Sequence, residues 1–90
     1  MTLQELFAKE NSWCQGFLTM PRGGDASSWC LMGGLIECYG ECANAFYNAK
    51  VKLIASLRDE HGHGVSIYTY NDSPDRTIED IRQLVKAAGV

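Results

Sequence analysis

Residues 77–90 read TIEDIRQLVKAAGV, and this stretch admits one local structure. Thr77 stands three residues before Asp80, so each side chain can satisfy the other's backbone amide at a helix start. Ile78, Ile81, Leu84, Val85 and Ala88 recur at helical spacing on one face, and Gly89 supplies the stop. Such a helix holds only when its apolar stripe is covered by the rest of the chain. Ninety residues are too few for two independent cores, so residues 1–90 are expected to form a single domain. With 46% apolar and 21% charged residues, that domain should fold without metal or crosslinks.

The other elements can be read outward from this helix. Thr2-Leu3-Gln4-Glu5 repeats the capping pattern and predicts a short helix from about Leu3 to Glu10, ended by Asn11-Ser12. Residues 13–24, WCQGFLTMPRGG, break the helical period. A short strand is expected across residues 15–20, closed by Pro21 and Gly23-Gly24. Asp25-Ala26-Ser27-Ser28 offers N-caps for a helix carrying Leu31, Leu35, Cys38 and Cys42 on one stripe. Gly33 and Gly34 inside it make sense if another element packs close to its backbone. Gly40 bends or ends that helix, and Phe46, Lys50, Leu53, Ile54 and Leu57 mark another reaching about Asp59. His61-Gly62-His63-Gly64 terminates it.

Val65 to Tyr70 is β-branched or aromatic at most positions and reads as a strand. A lone strand leaves unpaired backbone groups, so it needs residues 15–20 as partner, or a second copy across a homodimer. The expected fold is α+β, with three to four helices packed on a small antiparallel sheet of two or three strands.

The net charge of −3 and pI near 5.2 come with no stripe of Lys or Arg. Generic nucleic-acid binding is therefore not expected, although one or two arginines suffice to hold a small anion. No basic-then-apolar leader opens the sequence, and no apolar run is long enough for a membrane span, so a cytoplasmic location is expected. In that compartment Cys14, Cys30, Cys38 and Cys42 are reduced thiols.

Three motifs occur in order: Trp13-Cys14-Gln15-Gly16, Cys30-Leu31-Met32-Gly33-Gly34-Leu35, and Tyr70-Asn71-Asp72-Ser73-Pro74-Asp75-Arg76-Thr77. The chain thereby resembles a family of small uncharacterised bacterial and phage proteins. Its pattern runs Trp-x-Gln-Gly, Cys-x-x-Gly-Ala-Leu and Trp-Asn-Asp-x-Pro-Gly-Arg-Thr. The likeness spans about residues 3 to 88. Tyr70, Gly34 and Asp75 depart from it, standing where Trp, Ala and Gly are usual. The resemblance lends no established activity; its phage association suggests an accessory role, of which anti-defence is one form.

Four constellations carry chemistry. In the Asn71–Thr77 turn, Asn71 and Asp72 bond local backbone, Pro74 fixes φ and Thr77 caps the next helix. Arg76 is left over, and with open helix amides it would make an anion pocket walled by Tyr70 or Trp13. Cys30 at a helix start and His63 before a strand suggest a thiolate pair, superficially like cysteine peptidases that cleave cell-wall peptides. Against that, no clear orienting third residue follows, and Cys30 is equally a small buried hydrophobe. Cys38, Cys42, His61 and His63 could supply four zinc ligands, but no Cys-x-x-Cys knuckle exists and the two cysteines continue an apolar stripe. Alternation in a strand would send Tyr68 and Tyr70 to one face and Val65 and Ile67 to the other.

The reading that follows is a non-enzymatic binding module with no cofactor and no metal. It would engage a small anionic, nucleotide-like ligand or a host protein, with Arg76 holding the acidic group. Asn71 and Asp72 would give polar selectivity, Trp13 and Tyr70 would stack, and Arg22 would close over the ligand. The alternative is a small cysteine hydrolase or transferase using Cys30 and His63.

Overall fold

A computed structural model describes residues 1–21 and 26–90 of the chain. Its elements are α1 (Leu3–Ala8), β1 (Thr19–Met20), β2 (Ser28–Trp29), α2 (Leu31–Tyr39), α3 (Asn44–His61), α4 (Ile67–Asn71) and α5 (Ile78–Ala88). The class is α+β, with five helices and one two-stranded antiparallel sheet among the described residues. Thr19 pairs with Trp29 and Met20 with Ser28, while an isolated parallel bridge joins Trp29 to Trp13. Among the described residues no helix is long and apolar enough to cross a membrane.

Both expected capping boxes form. The Thr2 hydroxyl accepts from the Glu5 amide and the Glu5 carboxylate from the Thr2 amide; Thr77 and Asp80 repeat the exchange at α5. Each satisfies two of the amides that a helix start leaves open. Gly89 ends α5 at φ +73° and ψ 31°, the left-handed geometry that glycine adopts without a Cβ clash. Leu84, Val85 and Ile81 of α5 join Leu3, Leu6 and Phe7 of α1 and Leu53 and Leu57 of α3 in one cluster of buried apolar side chains.

Helix α2 lies centrally, against α1, α3 and α4. Its buried face begins with Leu31, Met32, Gly33, Gly34 and Leu35, and the two glycines have the close neighbours that their presence suggested. A Cβ on Gly33 would overlap the Leu18 carbonyl, which accepts the Cys30 amide at 3.0 Å. A Cβ on Gly34 would meet only side-chain ends, those of Leu3, Leu6 and Phe7. The segment before β1 thus presses its backbone directly onto α2.

The structure corrects several sequence expectations. Val65–Tyr70 is not a strand: Ile67–Asn71 forms α4, opened by Ser66, whose hydroxyl accepts the Thr69 amide at 3.0 Å. Ile67, Tyr70 and Asn71, three and four apart, are its buried positions, so tertiary burial overrides β propensity. The strand expected across residues 15–20 is confined to Thr19–Met20, which pairs with Ser28–Trp29 rather than with 65–70. Helical geometry also separates the tyrosines, with Tyr70 buried and Tyr68 exposed.

The N-cap of α2 is Cys30, whose thiol accepts the Gly33 amide at 3.3 Å, and not a residue of the 25–28 stretch. Cys42 leaves the stripe of Leu31, Leu35 and Cys38: Gly40 ends α2 at φ +78°, and Cys42 lies exposed beyond it. Cys38 remains half-buried against the core.

Candidate functional site

Asn71 is 1% exposed, and every polar atom of its side chain is used. Its Oδ1 accepts the Trp13 indole N–H at 2.7 Å and the Leu31 amide at 3.0 Å. Its Nδ2 donates to the Cys14 carbonyl at 3.1 Å and to the Asp72 carboxylate at 2.9 Å. A carboxamide can offer two donors and two acceptor sites, and this one is saturated. Asp72 Oδ1 also accepts the Gly16 amide at 3.0 Å. Gln15 Nε2 donates to the carbonyls of Asn71 and Ser73 at 2.9 and 2.8 Å.

The three motifs quoted from the sequence, far apart in the chain, are therefore one hydrogen-bonded hub. Trp13, Gln15 and Gly16 meet Asn71, Asp72 and Ser73, and the start of α2 is tied to the same amide. The turn chemistry expected of Asn71 is local; the observed bonds reach across the fold. That is the part sequence reasoning missed, because a contact between residues 13 and 71 leaves no periodic trace.

Arg76 is engaged as well. Its Nε donates to the Tyr70 carbonyl at 2.9 Å, its Nη2 donates to Ser73 Oγ at 3.4 Å, and its guanidinium carbon lies 3.7 Å from the Tyr70 ring centre. Tyr70 itself is 4% exposed, with its hydroxyl 3.4 Å from the Asp80 carbonyl. Burial raises the Tyr70 phenol pKa, partly opposed by the arginine's charge. The α5 amides beside Arg76 face their own carboxylates, since Thr77 N–H donates to Asp80 Oδ2 at 3.0 Å and Glu79 shares that first turn. An incoming anion meets that negative charge. Trp13 lines a different, open depression with Glu10, Ile78 and Arg82. Arg22 lies outside the described residues.

Cys30 is 4% exposed. Burial pushes its thiol above the ordinary value, an effect that the Gly33 amide bond only partly offsets. His63 is exposed, and the hollow that Cys30 lines with Gly16, Phe17, Leu18, Tyr68 and Asp72 does not include it. A nucleophilic cysteine needs a lowered pKa and a base within reach; here the thiol serves as a helix cap. Among the described residues no three His, Cys, Asp or Glu side chains come together as metal ligands.

What the hub presents outward is apolar. Phe17 is 47% exposed, Leu18 46%, Met20 41% and Tyr68 52%. Phe17, Leu18 and Tyr68 surround a hollow of about 130 Å³ whose remaining walls include Cys30, Gly16 and Asp72. Sequence alternation places Phe17 and Leu18 in a strand, but gives no sign that both stay at the surface.

A model of a family of unknown function, DUF6197, matches residues 4–89, and the chain belongs to that family. No curated protein matches the chain, and no solved structure does.

Proposed function

We propose that this family member is a non-enzymatic binding module that engages a partner protein through the face formed by Phe17, Leu18, Met20 and Tyr68. The observation that carries this reading is the exposure of Phe17, Leu18 and Tyr68 around one hollow, with Met20 exposed two residues beyond Leu18 on a segment whose backbone is fastened to the hub. Large apolar side chains gathered at a surface mark an interaction site more often than scattered ones. A pre-ordered backbone lowers the entropy cost of docking. The segment from Gly16 to Met20 is pinned by the Gly16–Asp72 bond and by the Leu18 carbonyl over Gly33.

In this reading Trp13, Asn71, Asp72, Tyr70 and Arg76 form the platform, and contact passes to the aromatic and aliphatic rim. An accessory role against a host protein, as phage proteins play, is one setting for such a surface. The test is affinity capture from the source cells with chemical crosslinking, comparing the wild type with the Leu18→Asp/Tyr68→Asp double variant. A protein crosslinked to the wild type at residues 16–20 and lost in the variant is expected. Retention of the same partner by the variant, or no crosslink at this face, overturns the reading.

A further inference from the structure

A second concavity, of about 300 Å³, lies between α3 and the chain from Gly64 to Tyr68. Lys50, Ile54 and Arg58 line one wall, at i, i+4 and i+8 along α3, and so share a face of that helix. Met32, Val65 and Ile67 line the cleft as well. Its lining includes two cations and no acidic side chain, in a chain carrying 11 Asp and Glu against 8 Lys and Arg. Among the described residues neither Lys50 nor Arg58 forms an ion pair; the two that occur are His61–Glu60 and Arg82–Glu79.

We propose that this cleft binds a small amphipathic anion: an aromatic or branched aliphatic body carrying one carboxylate or phosphate. The apolar lining supplies the driving force for the body, since burial of such surface is favourable in proportion to area. Helical rise sets Lys50 and Arg58 about 12 Å apart along α3. The Lys50 ammonium rests 5.9 Å from the Phe46 ring centre, and it would swing from there to share with Arg58 one anionic group lying over Ile54. Charge-assisted bonds from two flexible cations fix its orientation. The volume sits at the lower end of small-molecule sites, which limits the occupant to a compact molecule. This site is separate from Arg76 and from the Phe17–Leu18 face, which it meets only at Tyr68.

The experiment is an amide NMR titration with phenyl phosphate, with benzyl alcohol as a neutral body of similar shape. Saturable shifts centred on Ile54, Arg58, Val65 and Tyr68 are expected for the phosphate, with the alcohol at least about tenfold weaker. The Lys50→Glu/Arg58→Glu variant should lose at least about tenfold in affinity while keeping its melting temperature; the single changes Lys50→Gln and Arg58→Gln each give a partial loss. The proposal is overturned by no saturable shift up to roughly 5 mM, by shifts centred on Phe17 to Met20, by equal affinity for the alcohol, or by undiminished binding in the variants.

Discussion

The Arg76 guanidinium stacks over the Tyr70 ring at 3.7 Å and returns a hydrogen bond to the carbonyl of that same residue. One arginine thus fixes the end of α4 and the turn into α5, and its cation lies against a ring that also packs near His61, tilted at 48° with ring centres 5.2 Å apart. Arg76→Ala should cost about 1–2 kcal/mol of stability, from the lost cation–π contact and the unpaired Tyr70 carbonyl. Arg76→Lys should recover less than half, since an ammonium cannot stack and bond in one plane. Urea unfolding of both variants measures this, and an unchanged midpoint for Arg76→Ala would return the residue to ligand duty.

Asn71→Ala should be among the most damaging single changes in the chain. It strands the Trp13 indole N–H, the Leu31 amide and the Cys14 carbonyl in a buried setting. Each orphaned group costs about 1–3 kcal/mol, and partial relaxation brings the total to roughly 3–4 kcal/mol. Thermal unfolding checks it, with Asn71→Asp as a second variant: it keeps the acceptor but loses the bond to Cys14 and sets a carboxylate beside Asp72.

The paired glycines of α2 should respond unequally to the same substitution. Gly33→Ala drives a methyl into the Leu18 carbonyl, and that backbone is held by the Cys30 amide. It should therefore destabilise by at least about 2 kcal/mol. Gly34→Ala meets the buried side-chain ends of Leu3, Phe7 and Leu6 at 2.9, 3.0 and 3.2 Å. These shift more readily than a backbone carbonyl, and the helix-propensity gain of about 1 kcal/mol offsets part of that crowding. Denaturant midpoints of the two variants, measured side by side, decide the point.

Stability should fall on the alkaline side. Burial raises the thiols of Cys14, Cys30 and Cys38 above 9.0 and the phenols of Tyr39 and Tyr70 above 10.0. The unfolded chain then releases these protons first, so it binds fewer protons than the native state and stability declines as pH rises. The decline should begin near pH 9 and steepen as the phenols join. Melting temperatures from pH 7 to 11 test this, and a flat profile refutes it. At neutral pH iodoacetamide should label exposed Cys42 first and Cys30 last.

The helix starts at Thr2 and Thr77 and the stop at Gly89 were legible because caps are local, a few residues wide. The α5 stripe and the close approach at Gly33 and Gly34 were legible for similar reasons, one from periodicity and one from a cost that needs a compensating contact. α4 was not, because five residues complete little more than one turn and cannot display a period. Its Ile, Thr and Tyr residues favour a strand, and what decides otherwise is Ser66 as cap and the burial of Ile67, Tyr70 and Asn71. At the site, Arg76 stood out in sequence as the residue that turn chemistry left over. Its partner proved to be the neighbouring Tyr70, and the exposure of Phe17 and Leu18 depended on a segment docking that no local pattern encodes.

The side-chain bonds of Asn71 to Trp13, Cys14 and Leu31 span 58, 57 and 40 residues. Contacts that close such long stretches of chain must await most of the ordering that brings those segments together. The hub is thus expected to act as a latch that shuts late on the folding route. Weakening it at Asn71 should leave the refolding rate nearly unchanged and appear as faster unfolding, so the same carboxamide that unites three motifs also sets how long the native state persists once formed.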